Sequence, residues 1–211
     1  MSFRPAALSA AVTLAAVGLA PAASAAPDGD QVIINEVYSN GAGLSGPYLN
    51  DFIELYNPSD DTILLDGMTV TVFGGVNGDS YGSVELQGSL AAGDHFLLKL
   101  NNSAAYPSEG AVELENFDIT ADVRVPSQNA SVLLAFDEST LDLVGFGVTE
   151  RYEGTAARAA AYDQSLSRTD GIDTDDNAAD FTSQVPSPQH SVIEVADTPE
   201  AGELSAELSS R

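Results

Sequence analysis

The segment QVIINEVYSNGAGLSGPYLNDFIELYN (31–57) contains two apolar runs joined by a loop rich in glycine and asparagine. The first run, QVIINEVY (31–38), and the second, DFIELYN (51–57), are rich in the β-branched and aromatic residues that favour strands. The loop between them contains residues that tolerate tight turns. The segment therefore predicts two strands that can pair antiparallel.

The chain continues beyond this segment as short strand-like runs. Turn signals such as Asn57-Pro58-Ser59-Asp60 and Leu65-Asp66-Gly67 separate them. The runs are MTVTVF (68–73), SVELQG (83–88), HFLLKLN (95–101), SVLLAFD (131–137) and LDLVGFG (141–147). Short strands at this spacing predict an all-β chain that folds as an antiparallel sandwich or barrel. GTAARAAAYDQ (154–164) is helix-like in composition and predicts a loop or one short helix.

The two ends of the chain differ from its middle. Residues 1–25 combine Arg4, an apolar run and Ala23-Ser24-Ala25, which is the pattern of a cleaved secretory signal. Residues 191–211 are acidic and poor in aromatic residues, as in a disordered tail or linker. The sequence thus predicts a secreted, extracellular protein with one domain over residues 26–190 and no membrane-spanning segment.

Composition excludes several classes of function. The 211 residues include no cysteine, so thiol chemistry and cysteine-ligated zinc are excluded. The formal net charge is −25, with 7 basic and 32 acidic residues. Nucleic-acid binding depends on basic side chains that neutralise phosphates, so such a surface disfavours it.

Two further patterns do not support a catalytic or nucleotide site. GAGLSG (41–46) matches the glycine spacing of a dinucleotide-binding loop, but Pro47 and a new strand follow where that site needs a helix. His95 and His190 are the only histidines and are far apart in sequence. Without a G-x-S-x-G turn or cysteine ligands, they predict neither a serine triad nor a zinc site.

Glu36 and Glu54 lie within the first two predicted strands. If those strands pair, their carboxylates lie close together, which is the arrangement of glycoside hydrolases. Two like charges also repel each other unless a proton, a cation or an arginine such as Arg168 intervenes. We favour the structural interpretation, because the chain has no tryptophan to form a platform for sugars.

The stretch DGIDTDDNAADF (170–181) carries five aspartates in twelve residues. Asp173, Asp175 and Asn177 have the spacing of the first three ligands of a calcium loop of the EF-hand type. That loop needs Gly and Glu where this chain has Ala178 and Gln184. The stretch therefore predicts either a loose calcium site or a turn in which Asp and Asn side chains cap backbone N–H groups.

Taken in order, these motifs resemble the lamin tail domain in the form found in bacterial secreted proteins. The resemblance covers roughly residues 31–189, and two positions depart from it. Met68 stands where the family usually has Trp, and Ser187-Pro188-Gln189 replaces a Thr-Pro-Gly close. The matching motifs are IINEV (33–37), DFIELYN (51–57), Leu65-Asp66-Gly67, LVGFG (143–147), SLSR (165–168), DTDDNAADF (173–181) and VPSPQ (185–189).

The resemblance implies an immunoglobulin-like β-sandwich that binds or scaffolds and is not an enzyme. Its function would be that of a secreted module, with a targeting or cell-surface role and an unidentified protein or surface ligand as partner. The alternative is a calcium-binding accessory domain of an extracellular hydrolase or nuclease, or a weak hydrolase. We expect Glu36, Glu54, Arg168 and Asp180 to form a buried polar network that ties the first and last strands together, with Asp180-Phe181 docking the last strand.

Overall fold

Regular structure in the described part of the chain is almost entirely β-strand. The computed structural model describes residues 29–41, 45–75, 77–101 and 108–191, and one four-residue helix accompanies the strands there. In chain order the elements are β1 (Ile33–Tyr38), β2 (Phe52–Tyr56), β3 (Ile63–Leu64), β4 (Met68–Gly74), β5 (Asp79–Glu85), β6 (Ser89–Leu90), β7 (His95–Leu100), β8 (Ile119–Ala121), β9 (Ala130–Phe136), β10 (Ser139–Phe146), β11 (Ser165–Arg168), α1 (Asn177–Asp180) and β12 (Phe181–Gln184).

The strands form two main sheets. The first has six strands in the order β12-β11-β1-β2-β7-β8, and the second has four in the order β10-β9-β4-β5. Strands β3 and β6 form a small separate pair. Neighbouring strands of the main sheets pair antiparallel, except for the parallel pair of β7 and β8. The expected all-β, immunoglobulin-like antiparallel sandwich is confirmed.

The hydrophobic core lies between the two sheets. Ile53 and Leu98 face it from the first sheet, and Val70, Val132 and Val144 face it from the second; all five are fully buried. Burying one such side chain contributes about 1.5–3 kcal/mol relative to leaving it exposed. A chain without disulfides depends on this burial for its stability.

The first sheet is also buried on its outer face. Tyr38, Phe52, Leu97 and Leu114 form a second apolar cluster there. The rings of Tyr38 and Phe52 stack with centroids 5.3 Å apart. Polar residues that point to this outer face can therefore be buried as completely as those in the core.

A β-bulge in β1 sets the directions of its side chains. The register against β2 shifts between Ile34 and Glu36. One extra residue reverses the in-and-out alternation, so Ile34 and Val37 both join the core cluster. Glu36, between them, points to the outer face instead.

Three further sequence-based expectations concern residues 154–164, Met68 and the two ends of the chain. Residues 154–164 form a loop, which is the first of the two predicted alternatives, with a bridge between Phe146 and Ala157. Met68, at the position of the family's tryptophan, is 7% exposed and belongs to the core. The predicted signal (1–25) and all of the predicted tail except Ser191 lie outside the described residues.

Candidate functional site

Arg168 joins the two sheets through a buried ion pair. In β11, Leu166 lies in the core, and the alternation of a strand turns Arg168 to the same side. Its Nη2 donates to both carboxylate oxygens of Asp142 on β10, at 2.9 and 2.7 Å. Both side chains are fully buried. A charged pair out of water is tolerated when its donors and acceptors are matched in this way.

The remaining donors of Arg168 hold the first strand and the aspartate-rich loop. Its Nε donates to the carbonyl of Ile34 at 2.9 Å, beside the bulge in β1. Its Nη1 donates to Asp173 at 2.9 Å and to Asp180 at 3.0 Å. The guanidinium also lies 4.5 Å from the ring centroid of Phe181. One arginine thus connects β1, β10, β11 and the loop that leads into β12.

The aspartate-rich loop is folded by its own side chains. Asp176 caps the N-terminus of α1 by accepting from the N–H of Ala178. Asp173 accepts from the N–H of Asp175 at 3.2 Å, which makes a local turn. Asp180 accepts from the backbone N–H and the hydroxyl of Thr174. These contacts are those of the capped-turn alternative.

Asn177 is fully buried and uses all its hydrogen-bonding groups within the fold. Its Oδ1 accepts from the N–H of Gly145 at 2.7 Å and of Glu153 at 3.1 Å. Its Nδ2 donates to the carbonyl of Leu143 at 2.8 Å and to Glu153 Oε2 at 3.3 Å. Both lone pairs of the oxygen are occupied, so Asn177 has none for a calcium ion. The structure thus corrects its place in the expected calcium set.

Glu36 and Glu54 face each other across β1 and β2 on the outer face of the first sheet. Glu36 accepts from the hydroxyl of Ser165 and from the N–H and hydroxyl of Ser187. Glu54 accepts from Asn35 at 2.7 Å and from the N–H of Gln189. The segment after β12 therefore crosses this face, held by two buried carboxyl groups. We call residues 185–191 the C-terminal strap.

Burial and mutual repulsion perturb the ionisation of these two carboxyl groups. Burial raises the pKa of Glu54 to about 7; the hydrogen bonds from Asn35 and Gln189 oppose this shift, and the nearby Glu36 adds to it. Burial likewise raises the pKa of Glu36. His95 on β7 lies 3.7 Å from Glu54, and burial lowers its pKa. A neutral His95 leaves the carboxyl pair without a full positive charge to balance it.

We expect the protein to be more stable at about pH 5 than at about pH 8. The pKa of Glu54 is about 7 in the folded chain against an ordinary value of 4.5, so the folded state holds the proton more tightly. Stability therefore falls as pH rises through this window, and the full cost is present above pH 7. Asp51, whose pKa burial raises to about 7, acts in the same direction.

Urea midpoints at the two pH values measure this difference, with about 0.5 M NaCl to screen the acidic surface. Glu54→Gln should narrow the gap without closing it, because Asp51 still titrates. Exchange of the exposed Glu138 for Gln is the matched control and should leave the gap unchanged. Equal or greater stability of the wild type at the higher pH would refute the expected sign.

The structure divides the expected polar network into two sets. Arg168 and Asp180 meet at the end of the sandwich, whereas Glu36 and Glu54 lie on the outer face of the first sheet. Among the described residues, Arg168 forms its ion pairs with aspartates and none with either glutamate. The two sets are separate because the side chains of the two glutamates point away from the core between the sheets, whereas the side chain of Arg168 points into it.

Sequence reasoning missed two members of the Arg168 site, Asp142 and Glu153. Asp142 is a charged residue within the apolar run LDLVGFG, which is compatible with a buried polar contact. The alternation of a strand, however, would by itself predict that Leu141 and Leu143 face the core and that Asp142 faces away from it. Glu153 lies immediately before residues 154–164, for which the sequence predicted a loop or one short helix. Its backbone carbonyl accepts from the N–H of Asn177, which fixes it beside α1.

Three acidic side chains converge next to Arg168. Asp142, Glu153 and Asp173 each place one carboxylate oxygen within 4.8 Å of the others. Burial raises the pKa of Glu153 to about 9, and the negative charges of Asp142 and Asp173 contribute to the shift. Burial also raises the pKa of Asp142, to about 6, against the opposing effect of Arg168. Electrostatically, this point favours a positive occupant, either a proton or a cation.

Comparisons with known proteins agree with the observed architecture. A family model described as Lamin Tail Domain matches residues 25–147. The structure is similar to that of a DUF4876 family protein from Bacteroides thetaiotaomicron, with a TM-score of 0.54 and 14% identity over 75% of this chain and 72% of the other. No curated protein matches. In the described residues, no helix has the length and apolar character needed to span a membrane.

Proposed function

The chain belongs to the lamin tail domain family, and from this premise we propose that it is a secreted, non-catalytic module that binds or scaffolds. The observation that carries the proposal is the use made of Glu36 and Glu54. Their two carboxyl groups lie close together, and a close pair of carboxyl groups is also the arrangement found in glycoside hydrolases. Glu36 and Glu54 are 1% and 0% exposed, and they accept hydrogen bonds from the C-terminal strap.

A glycoside hydrolase needs its two carboxyl groups open to substrate, one as acid and one as base or nucleophile. Here Ser165 and Ser187 bind Glu36, and Asn35 and Gln189 bind Glu54. A substrate could reach the pair only after the strap left the sheet. These contacts support a structural role for the two glutamates. A structural role for the pair in turn supports the proposal that the protein acts by binding and not by catalysis.

The net charge constrains the partner. With a formal charge of −25, the surface repels phosphate backbones and anionic lipid. A basic protein surface, or a ligand reached through bridging cations, would suit it. The predicted signal in residues 1–25 supports a role outside the cell, and we include targeting or attachment to the cell surface in the proposal.

A two-part experiment tests the proposed function. Culture fractionation with full-length protein should place the mature chain outside the cell or on its surface. The purified protein should hydrolyse neither glycans nor phosphodiesters, and it should bind to cells of its source in a saturable way. Turnover that disappears in Glu54→Gln and persists in the exposed control Glu138→Gln would make the chain an enzyme. Retention inside the cell would remove the secreted role.

The alternative, a calcium-binding accessory domain of an extracellular hydrolase or nuclease, rests on a different observation. Asp142, Glu153 and Asp173 converge within the sandwich, away from the glutamate pair. Calcium binding there would be compatible with either function, because a structural ion does not require turnover. Nuclease or hydrolase activity of the purified chain would indicate the other form of this alternative, a weak hydrolase, whereas an accessory domain would bind calcium without turnover.

A further inference from the structure

The acidic cluster of Asp142, Glu153 and Asp173 contains oxygens with no protein partner. Glu153 is 3% exposed, and the Asp173 side chain is 6% exposed. Within the described part of the chain, Glu153 Oε1 and Asp173 Oδ2 are the buried side-chain atoms without a hydrogen bond. Buried polar atoms almost always have a partner, and leaving one unmatched is costly. The two atoms therefore mark a place where a positive group, a proton or a cation, would be stabilised.

Charge supports the same conclusion. Asp142, Asp173 and Asp180 form ion pairs with the single guanidinium of Arg168, and the carboxyl group of Glu153 lies beside those of Asp142 and Asp173. Even after Arg168 is counted, the ionised cluster carries an excess of negative charge in a site removed from water. Buried charges of one sign are tolerated only when a proton or a cation balances them.

The donor set selects the kind of cation. All three converging groups offer carboxylate oxygens, which are the ligands of hard cations such as calcium. Calcium binds oxygen at about 2.3–2.6 Å, so two ligands on opposite sides of one ion are about 4.8 Å apart. The observed separations fall within 4.8 Å. Magnesium requires shorter, near-octahedral contacts and usually retains several waters.

We propose that Asp142, Glu153 and Asp173 bind one calcium ion at the end of the sandwich. The site differs from the sequence-based set of Asp173, Asp175 and Asn177, because it takes ligands from β10 and from the loop that follows it. Calcium here would link that loop to the aspartate-rich loop, and backbone carbonyls or water would complete its coordination. The ion would therefore stabilise the same junction that Arg168 holds.

Glu153→Gln is the most informative variant. Glutamine keeps the volume and can still accept from Asn177, so the hydrogen bond made by Glu153 Oε2 is retained. Glu153 has no ion pair with Arg168, so the pairs of Arg168 with the aspartates also remain. Glu138→Gln, in the exposed turn between β9 and β10, removes the same charge elsewhere and serves as the control.

Thermal unfolding of the full chain should be measured in EDTA, in millimolar CaCl2 and in millimolar MgCl2. About 0.5 M NaCl screens the acidic surface in every sample, so that added calcium cannot raise the Tm by screening alone. Calcium should raise the Tm of the wild type and of Glu138→Gln by roughly 5 °C or more at saturation. Glu153→Gln should lose most of that shift, and magnesium should give a smaller one.

Calorimetric titration of the wild type provides a second readout that needs no variant. One calcium per chain, bound at high salt, supports the site. If calcium produces no heat and no Tm shift in the wild type, the proposal is overturned and the cluster is balanced by a proton. A shift that persists fully in Glu153→Gln also overturns it, because the ion would then bind elsewhere.

Discussion

Replacing Arg168 with methionine should lower the free energy of unfolding by about 3–5 kcal/mol, since removing one partner of a buried ion pair leaves the other charge unmatched. Asp142 would remain fully buried opposite an apolar side chain. Methionine preserves most of the apolar stem, so the loss reports the charge and the hydrogen bonds rather than a cavity. Urea denaturation at neutral pH measures it.

The control for this substitution is Arg158→Met. Arg158 is exposed in the loop after β10, so its replacement should change stability by less than about 0.5 kcal/mol. A comparably small effect at Arg168 would mean that the inter-sheet ion pair contributes little to the sandwich.

Replacing Asn177 with alanine should cost about 3 kcal/mol or more, because two buried and one partly buried backbone groups lose their partner and each unmatched group costs about 1–3 kcal/mol. These groups are the N–H of Gly145, the N–H of Glu153 and the carbonyl of Leu143. We also expect α1, the helical turn that precedes β12, to become less stable when these hydrogen bonds are lost. Hydrogen exchange at the amides of Gly145 and Glu153, together with urea denaturation, measures both effects.

Gln87→Ala is the matched control for Asn177, because it removes an amide side chain that is exposed between β5 and β6. It should leave the urea midpoint nearly unchanged. If Asn177→Ala behaved like Gln87→Ala, water would be replacing the amide, and Asn177 would not be the group that anchors the loop.

The longer strands could be predicted from the sequence because their composition and alternation are strong local signals. Residues 31–38 and 51–57 contain all of β1 and β2, and 68–73 lies within β4. The short strands β3, β6 and β8 contain two or three residues each, too few for a periodic pattern. These short strands form because other parts of the fold hold them next to their partner strands. A pattern in the local sequence does not reveal those tertiary contacts.

The polar core was harder to predict because it depends on tertiary contacts. In β10 the run Leu141-Asp142-Leu143 suggests that the leucines face inward, yet Asp142 is buried and both leucines are only half-buried. The inward direction of Asp142 is stabilised by Arg168, which lies 26 residues further along the chain. A pattern read along a single strand does not contain that partner.

The family match ends at residue 147, although the sheet continues beyond it. Strands β11 and β12 extend the first sheet next to β1, and the C-terminal strap then crosses its outer face. The motifs SLSR (165–168) and VPSPQ (185–189) indicated that the domain continues. They did not indicate that the strap binds Glu36 and Glu54, because strap contacts depend on how the chain returns after β12.

A double-mutant cycle between Arg168→Met and Asp142→Leu tests whether the buried charges serve to join the two sheets. Unfolding free energies should be measured in EDTA, so that calcium cannot contribute. We expect the double variant to be more stable than the sum of the single losses by at least about 2 kcal/mol, because an apolar pair replaces an unmatched charge. Losses that add to within about 0.5 kcal/mol would show that the two residues act independently and would contradict this account.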